Sequence, residues 1–189
     1  GIKKGNWEHL MEGWDMTKGL SELGEEVVGR MLDLEMIIDI CHCTPVARKR
    51  IYEIAEGRGV KGGVISTHTG VFEINPNPYN LADWEIRWMA DNGGCIGVIF
   101  MNYWLSPIDT GLGMKYIERT INHLITVGGE NVAAIGTDFD GFTDPPDEMV
   151  DVSQMPRLTR DLVALGYSDE VIGKVLGGNA MSTLKRGWA

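Results

Sequence analysis

The stretch "MIIDICHCTP", Met36 to Pro45, joins an apolar run to a helix start. The run is apolar apart from Asp39, which is typical of a strand buried in a parallel sheet. Thr44 is a favourable helix N-cap, and Pro45 suits the first position of a helix. The stretch therefore predicts a strand over 36–42 that leads directly into a helix, which is one βα unit.

The same βα pattern recurs along the chain. The predicted strands are 36–42, 62–68, 95–103 and 132–138, and the predicted helices include 21–34, 81–91, 113–127, 156–165 and 168–176. Apolar strands that alternate with helices predict an α/β fold with a parallel sheet. Two architectures remain open, a doubly wound sheet and part of a (β/α)8 TIM barrel, because four strands are too few for a whole barrel. Residues 1–20 are polar and are predicted to be an irregular segment ahead of a domain over 21–189.

The composition excludes several classes of protein. The 189 residues carry a net charge of −10, and an acidic surface repels phosphate backbones, so nucleic acid is not an expected partner. No apolar run reaches the roughly 18 residues needed to cross a bilayer, so no membrane association is expected. Three cysteines are too few for a disulfide framework, and a reducing, cytoplasmic location is expected.

Polar residues stand where each predicted strand ends. They are His42, His68, Asn102 and Asp138. The carboxyl ends of parallel strands carry the active sites in both candidate folds. We therefore expect these side chains to meet at one edge of the sheet.

Two histidines end adjacent predicted strands and are candidate metal ligands. Along a strand side chains alternate, so His42 is expected to share a face with Ile40, while Cys41 lies on the other face and cannot easily bind the same ion. Cys43 could bind it only if the strand has already ended. Cys41 and Cys43 are expected to pack as small apolar groups. Neighbouring strands lie about 4.8 Å apart, so His42 and His68 could share a zinc ion. The alternative is that both histidines are structural.

Asp138, in "AIGTDFDG", is the candidate catalytic group. A carboxylate beside a metal can take a proton from water and return it to a leaving amine. Asp140 is expected to lie in the following turn, and His123 is expected either to face solvent or to pack on a neighbouring element.

Several segments together resemble the renal (membrane) dipeptidase family of metal-dependent hydrolases in the amidohydrolase superfamily. They are "MIIDICHCT", "VISTHTG", "NGGCIGVIFMNYW", "AIGTDFDG" and "GGNAMSTL", and they correspond in order to its carboxyl-terminal half. The resemblance implies a (β/α)8 barrel with a binuclear zinc centre and a small peptide or amide substrate. It implies that His42 and His68 bind one zinc ion and that Asp138 transfers the proton.

Two departures from the family pattern limit the expected activity. The chain contains no His-x-Asp, the pair that binds the other ion, and no counterpart of the bridging glutamate. In "PYNLADWEI", Tyr79 stands where the family has an arginine that holds the substrate carboxylate, and a phenol cannot make that bidentate pair. Tyr79 and Asn80 are the candidate substrate-binding residues. We expect a fragment with weak metal binding and little activity, and the alternative is a non-catalytic metal- or ligand-binding protein.

Half a barrel leaves two sheet edges open, at the strands 36–42 and 132–138. Open edges promote association. A two-fold homodimer could pair these edges, or the amino-terminal segment could cover them.

Overall fold

A computed structural model describes residues 15–107, 113–141 and 144–187. The strands are β1 (Ile38–Asp39), β2 (Val64–Thr69), β3 (Ile96–Val98) and β4 (Ala133–Ile135). The helices are α1 (Glu22–Asp33), α2 (Pro45–Arg58), α3 (Asp83–Asp91), α4 (Asn102–Leu105), α5 (Met114–Gly128), α6 (Met155–Ala164), α7 (Asp169–Gly173) and α8 (Asn179–Gly187). A 3-10 turn, Val152–Gln154, precedes α6, and a kinked segment, Lys174–Gly178, with non-helical backbone at Gly177, joins α7 to α8. Most of the segment predicted over residues 1–20 lies outside the described residues.

The strands form one parallel sheet in the order β1-β2-β3-β4. A doubly wound sheet reverses its strand order at a switch point, and this sheet has no reversal. Connections between parallel strands are almost always right-handed, so consecutive order places every connecting helix on the same face. This arrangement is that of a barrel segment, which decides between the two predicted architectures.

The main core lies between the sheet and its helices. Leu32, Ile51, Ile86 and Ile121, from four successive long helices, pack in one cluster with strand residues such as Ile96. Each fully buried side chain of this kind contributes about 1.5–3 kcal/mol. The other face of the sheet carries smaller side chains, and a separate cluster there contains Ile65, Cys95 and Ala134 with Ala180 of α8.

Local capping explains where the helices begin, and it confirms the predicted starts. The side chains of Ser21, Thr44 and Ser168 accept hydrogen bonds from the backbone N–H groups three residues ahead, at 3.1, 3.1 and 3.3 Å. Pro45 occupies the first helical position of α2. Each cap satisfies a donor that the first turn leaves without a partner.

The strand ends differ from the prediction. β1 ends at Asp39 and β4 at Ile135, and the backbones of His42 and Asp138 then turn into the left-handed region with φ of 62° and 56°. The prediction that His42 follows the strand alternation of Ile40 is therefore wrong, because the strand has already ended. The predicted strand 95–103 is also too long, since its last residues form α4.

The carboxyl-terminal part of the chain is more helical than predicted. The predicted helix 168–176 ends at Gly173, the kinked segment Lys174–Gly178 follows, and a further helix that was not predicted, α8, comes after it. Among the described residues, no helix has the length and apolar character to span a bilayer.

Candidate active site and metal centre

His42 and His68 meet at the carboxyl edge of the sheet. Their Nε2 atoms lie 2.9 Å apart, and their ring centroids lie 5.0 Å apart. His68 lies near the end of β2, while His42 reaches the same place through its left-handed backbone. The two imidazoles therefore meet as expected, although His42 lies in a turn and not at the end of a strand.

Asp138 is the third member of this group. Its Oδ2 lies 3.9 Å from His68 Nε2. The left-handed backbone at Asp138 directs the carboxylate over Gly141, where a Cβ atom would collide with it. Asp140 lies in the turn that follows, as predicted. The sequence-predicted ligands and acid–base residue thus converge on one point.

The chemistry of this donor set fits zinc. Zinc binds imidazole nitrogen and carboxylate oxygen, and nitrogens 2.9 Å apart can both lie about 2.0–2.1 Å from one ion. Burial, followed by the neighbouring His68, lowers the pKa of His42. A lowered pKa favours the neutral imidazole, which is the form that binds metal.

An aromatic wall borders the two histidines. The indole of Trp104, from α4, stacks on Tyr79 at 5.5 Å and on His68 at 6.3 Å, and it meets the His42 ring edge-on at 5.6 Å. Tyr79 also lies 5.7 Å from His42. Burial raises the pKa of Tyr79, so the phenol stays neutral. Trp104 was not predicted as a site residue, and its only signal in the sequence is its position directly after the predicted strand 95–103.

Asn80 lies beneath this wall and is 1% exposed. Its Oδ1 accepts from the Gly70 N–H, and its Nδ2 donates to the carbonyls of Asn75 and Trp104. All three partners are backbone groups. Asn80 therefore holds together the loop that carries Tyr79, and its amide is not directed toward the histidines. Asn102 is also buried and donates to the Pro145 carbonyl.

A polar network behind His68 was not foreseen from the sequence. Asp39 accepts from the backbone and hydroxyl of Thr67, and the hydroxyl also contacts His68 Nδ1. The Cys41 sulfur contacts the hydroxyls of Ser66 and Thr67 and both backbone groups of His68. The expectation that Cys41 packs as an apolar group is therefore wrong, although burial raises the pKa of its thiol to about 11. The one sign of this polar network in the sequence is Asp39, an aspartate inside an apolar run.

A buried ion pair supports the loops of the site. Arg48 binds both carboxylate oxygens of Glu85, at 2.7 and 3.0 Å, and both side chains are 3% exposed. The same guanidinium donates to the carbonyls of Cys43, Pro78 and Asn80. Arg48 therefore links the backbone beside His42 to the backbone on both sides of Tyr79.

A second group of possible metal ligands lies in the helical layer. It consists of Glu73, Asp83 and His123. His123 Nε2 lies 2.7 Å from Asp83, Arg87 pairs with the same carboxylate, and Glu73 accepts from the Asp83 N–H. These groups already satisfy one another, and of the two positions predicted for His123, packing on a neighbouring element is the one found.

Known proteins are similar to this chain in sequence and in fold. A family model described as membrane dipeptidase (peptidase family M19) matches residues 7–186. An uncharacterized Klebsiella pneumoniae protein from the pqqA 5′ region is 34% identical over 92% of this chain and 63% of its own length. The dipeptidase ataJ of Aspergillus terreus is 30% identical over 79% of this chain and 36% of its own.

A solved structure agrees with these matches. The metallo peptidase from Rhodobacter sphaeroides, liganded with a phosphinate mimic of the dipeptide L-Ala-D-Ala, has a TM-score of 0.82 and 25% identity. The match covers 90% of this chain and 48% of that one, so the chain spans about half of that structure. The four-stranded sheet is thus half of a (β/α)8 barrel. Because the family model matches residues 7–186 and the fold agrees, the chain belongs to the membrane dipeptidase family, peptidase family M19.

Proposed function

We propose that the chain is the zinc-binding half of a dipeptidase-like hydrolase that cleaves the peptide or amide bond of small substrates. The observation that carries this proposal is the convergence of His42, His68 and Asp138 at one point of the sheet edge. The dipeptidases among its relatives and the phosphinate dipeptide mimic in the Rhodobacter sphaeroides structure support the substrate class.

Each residue of the site has a distinct role in this proposal. His42 and His68 hold the ion through their Nε2 atoms. When bound, zinc would polarise the scissile carbonyl and lower the pKa of water. Asp138 is placed to accept a proton from the attacking water at Oδ2 and to return it to the leaving amine.

The substrate would lie against the aromatic wall of Tyr79 and Trp104. These rings offer a flat surface beside the histidines and no fixed positive charge. A carboxylate would therefore receive at most a single neutral hydrogen bond from Tyr79, in place of a bidentate pair. We infer a small substrate and weak selection for a free terminal carboxylate, with Asn80 acting through the loop that it holds.

Little hydrolysis is expected from the isolated 189-residue chain. Catalytic zinc usually has three protein ligands and water, and the described part of this site offers two imidazoles. The rate at which the chain with added zinc releases alanine from L-Ala-D-Ala should not exceed the rate measured with zinc and no protein. Robust hydrolysis that is abolished by a chelator and by Asp138→Asn would contradict this expectation.

The second candidate is a non-catalytic metal-binding protein. It is favoured by Tyr79, which stands where the family has an arginine that holds the substrate carboxylate. The two candidates differ in their response to the phosphinate mimic of L-Ala-D-Ala. A peptidase half-site should bind the mimic only when zinc is present, and the Trp104 indole resonance should shift on binding. Zinc binding without any response to the mimic would favour the second candidate.

We also propose that a second copy of the chain covers the open edges. Within the described ranges, β1 and β4 each pair with a single neighbouring strand. Multi-angle light scattering at micromolar concentration should give twice the monomer mass of 20.9 kDa. A monomer that persists at the highest soluble concentration would contradict the dimer.

A further inference from the structure

The hydroxyl of Thr67 stands between a carboxylate and a proposed metal ligand. Thr67 Oγ1 lies 2.6 Å from Asp39 Oδ2 and 3.0 Å from His68 Nδ1. A threonine hydroxyl has one proton to donate and two lone pairs to accept with. The two contacts therefore compete for one proton, and its position decides the state of the imidazole.

The surroundings of Asp39 settle the direction of the first contact. Asp39 Oδ1 accepts from the N–H groups of Thr67 and Cys41, at 3.0 and 3.1 Å. Burial acts to raise the pKa of Asp39, but the hydrogen bond from the Thr67 hydroxyl and those from the two N–H groups together lower it below its ordinary value. An ionised carboxylate only accepts, so Thr67 donates its proton to Oδ2.

The remaining contact then has one direction. Thr67 Oγ1 also lies 3.4 Å from Cys41 Sγ, but the shorter, charge-assisted bond to Asp39 takes the proton. Oγ1 can only accept from His68. The imidazole must therefore carry its proton on Nδ1.

We propose that Asp39 and Thr67 are positioning residues that hold His68 as the Nδ1–H tautomer, with the Nε2 lone pair directed toward His42. The role in metal binding rests on the proposed function above, whereas the tautomer does not. Asp39, the one charged residue in its apolar run, thereby has a role in the site. It also makes the metal-binding face of His68 ready before any ion arrives.

The backbone keeps this arrangement in place. Cys41 Sγ contacts the N–H and the carbonyl of His68, each at 3.0 Å, so the peptide is held from both sides. β2 shifts register between Ser66 and Thr69, and the Thr67 carbonyl approaches Gly97 and Gly136 so closely that a Cβ atom at either would collide with it.

His42 provides an internal contrast. Among the described residues, its only hydrogen-bond contact is through Nε2, to His68. Its Nδ1 has no hydrogen-bond partner there, so the tautomer of His42 is set by its contact with His68 alone. Loss of the Thr67 hydroxyl should change the state of His68 directly and that of His42 only through their mutual contact.

Nuclear magnetic resonance of the metal-free chain tests the tautomer. Histidine labelled with ¹⁵N is examined in the presence of a chelator, and His68 is assigned by its loss in His68→Gln. We expect His68 to be protonated at Nδ1 in the wild type and in Thr67→Ser. In Thr67→Val, which keeps the shape and removes the hydroxyl, the Nε2–H form should become substantial.

Either of two spectra would overturn the tautomer assignment: a wild-type His68 that is mainly Nε2–H, or a Thr67→Val variant with an unchanged tautomer ratio. If Thr67→Val does not fold, the wild-type spectrum and Asp39→Asn still decide the question. A second readout is zinc affinity by competition with a chromophoric chelator, which should fall about 10–100-fold in Thr67→Val and recover in Thr67→Ser.

Failure of this proposal is distinguishable from failure of the proposed function. A wild-type chain with the Nδ1–H tautomer but no zinc binding would contradict the metal centre and leave the tautomer assignment standing. Zinc binding with equal affinity in wild type and Thr67→Val would support the metal centre and overturn the role of Thr67 and Asp39.

Discussion

Replacement of Arg48 by alanine should lower the free energy of unfolding by about 3–5 kcal/mol, the cost of breaking a buried ion pair from one side. Arg48 and Glu85 are each 3% exposed, so the remaining carboxylate would stay buried without its charge partner. The carbonyls of Cys43, Pro78 and Asn80 would lose a donor at the same time. The loops beside His42 and Tyr79 should therefore loosen together.

Urea denaturation followed by circular dichroism measures this effect. Arg50→Ala is the matched control, because Arg50 lies on the same helix and its pairs with Glu25 and Glu53 are solvent-exposed, so little change is expected. The double variant Arg48→Met, Glu85→Leu should lose less stability than the two single variants together, since no charge is left alone. An Arg48→Ala midpoint equal to that of wild type would contradict the role assigned to the pair.

Replacement of either site histidine should weaken zinc binding by more than about 100-fold, beyond the 10–100-fold that partners of a ligand contribute. His42 and His68 are the two imidazoles that face the same point, and each offers one Nε2. Removal of either one leaves a single nitrogen ligand, which cannot hold zinc against water. Isothermal titration of His42→Ala and His68→Ala gives the affinities.

His123→Ala is the control for this experiment. His123 belongs to the other group of possible ligands, with Glu73 and Asp83, which is already paired internally. Zinc affinity in His123→Ala should equal that of wild type. If zinc binding instead disappears in His123→Ala and persists in His68→Ala, the metal centre has been assigned to the wrong cluster.

The order of helices and strands was predictable because its signals are local. An apolar run followed by Thr44 and Pro45 identifies a strand and the start of a helix within ten residues, and the starts of the helices predicted at 21 and 168 are also correct. The convergence of the site was predictable for a geometric reason, since the carboxyl ends of parallel strands share one edge. His68 was found in this way, from its place at the end of a strand.

The exact course of the backbone at the site was not predictable. His42 and Asp138 adopt the left-handed conformation, which costs a non-glycine residue energy; His and Asp adopt it more often than most residues, but the residue type alone does not say where it occurs. Such conformations are held by their surroundings, here by partners far along the chain. The sequence pattern therefore extended both strands too far.

Long-range polar contacts were the other limit. Arg48 and Glu85 are 37 residues apart, and Asp39 and Thr67 are 28 apart. No periodicity links such pairs, and each residue alone reads as an ordinary polar side chain. The roles of Asp39 and Thr67, for example, follow only once the parallel register has brought β1 beside β2.

Anomalous scattering from zinc-soaked crystals of the chain tests the metal centre most directly. Difference maps calculated from data on either side of the zinc absorption edge should contain a peak between His42 Nε2 and His68 Nε2, with the Asp138 carboxylate beside it. A peak only at Glu73, Asp83 and His123, or none within coordination distance of His42 and His68, would contradict the account.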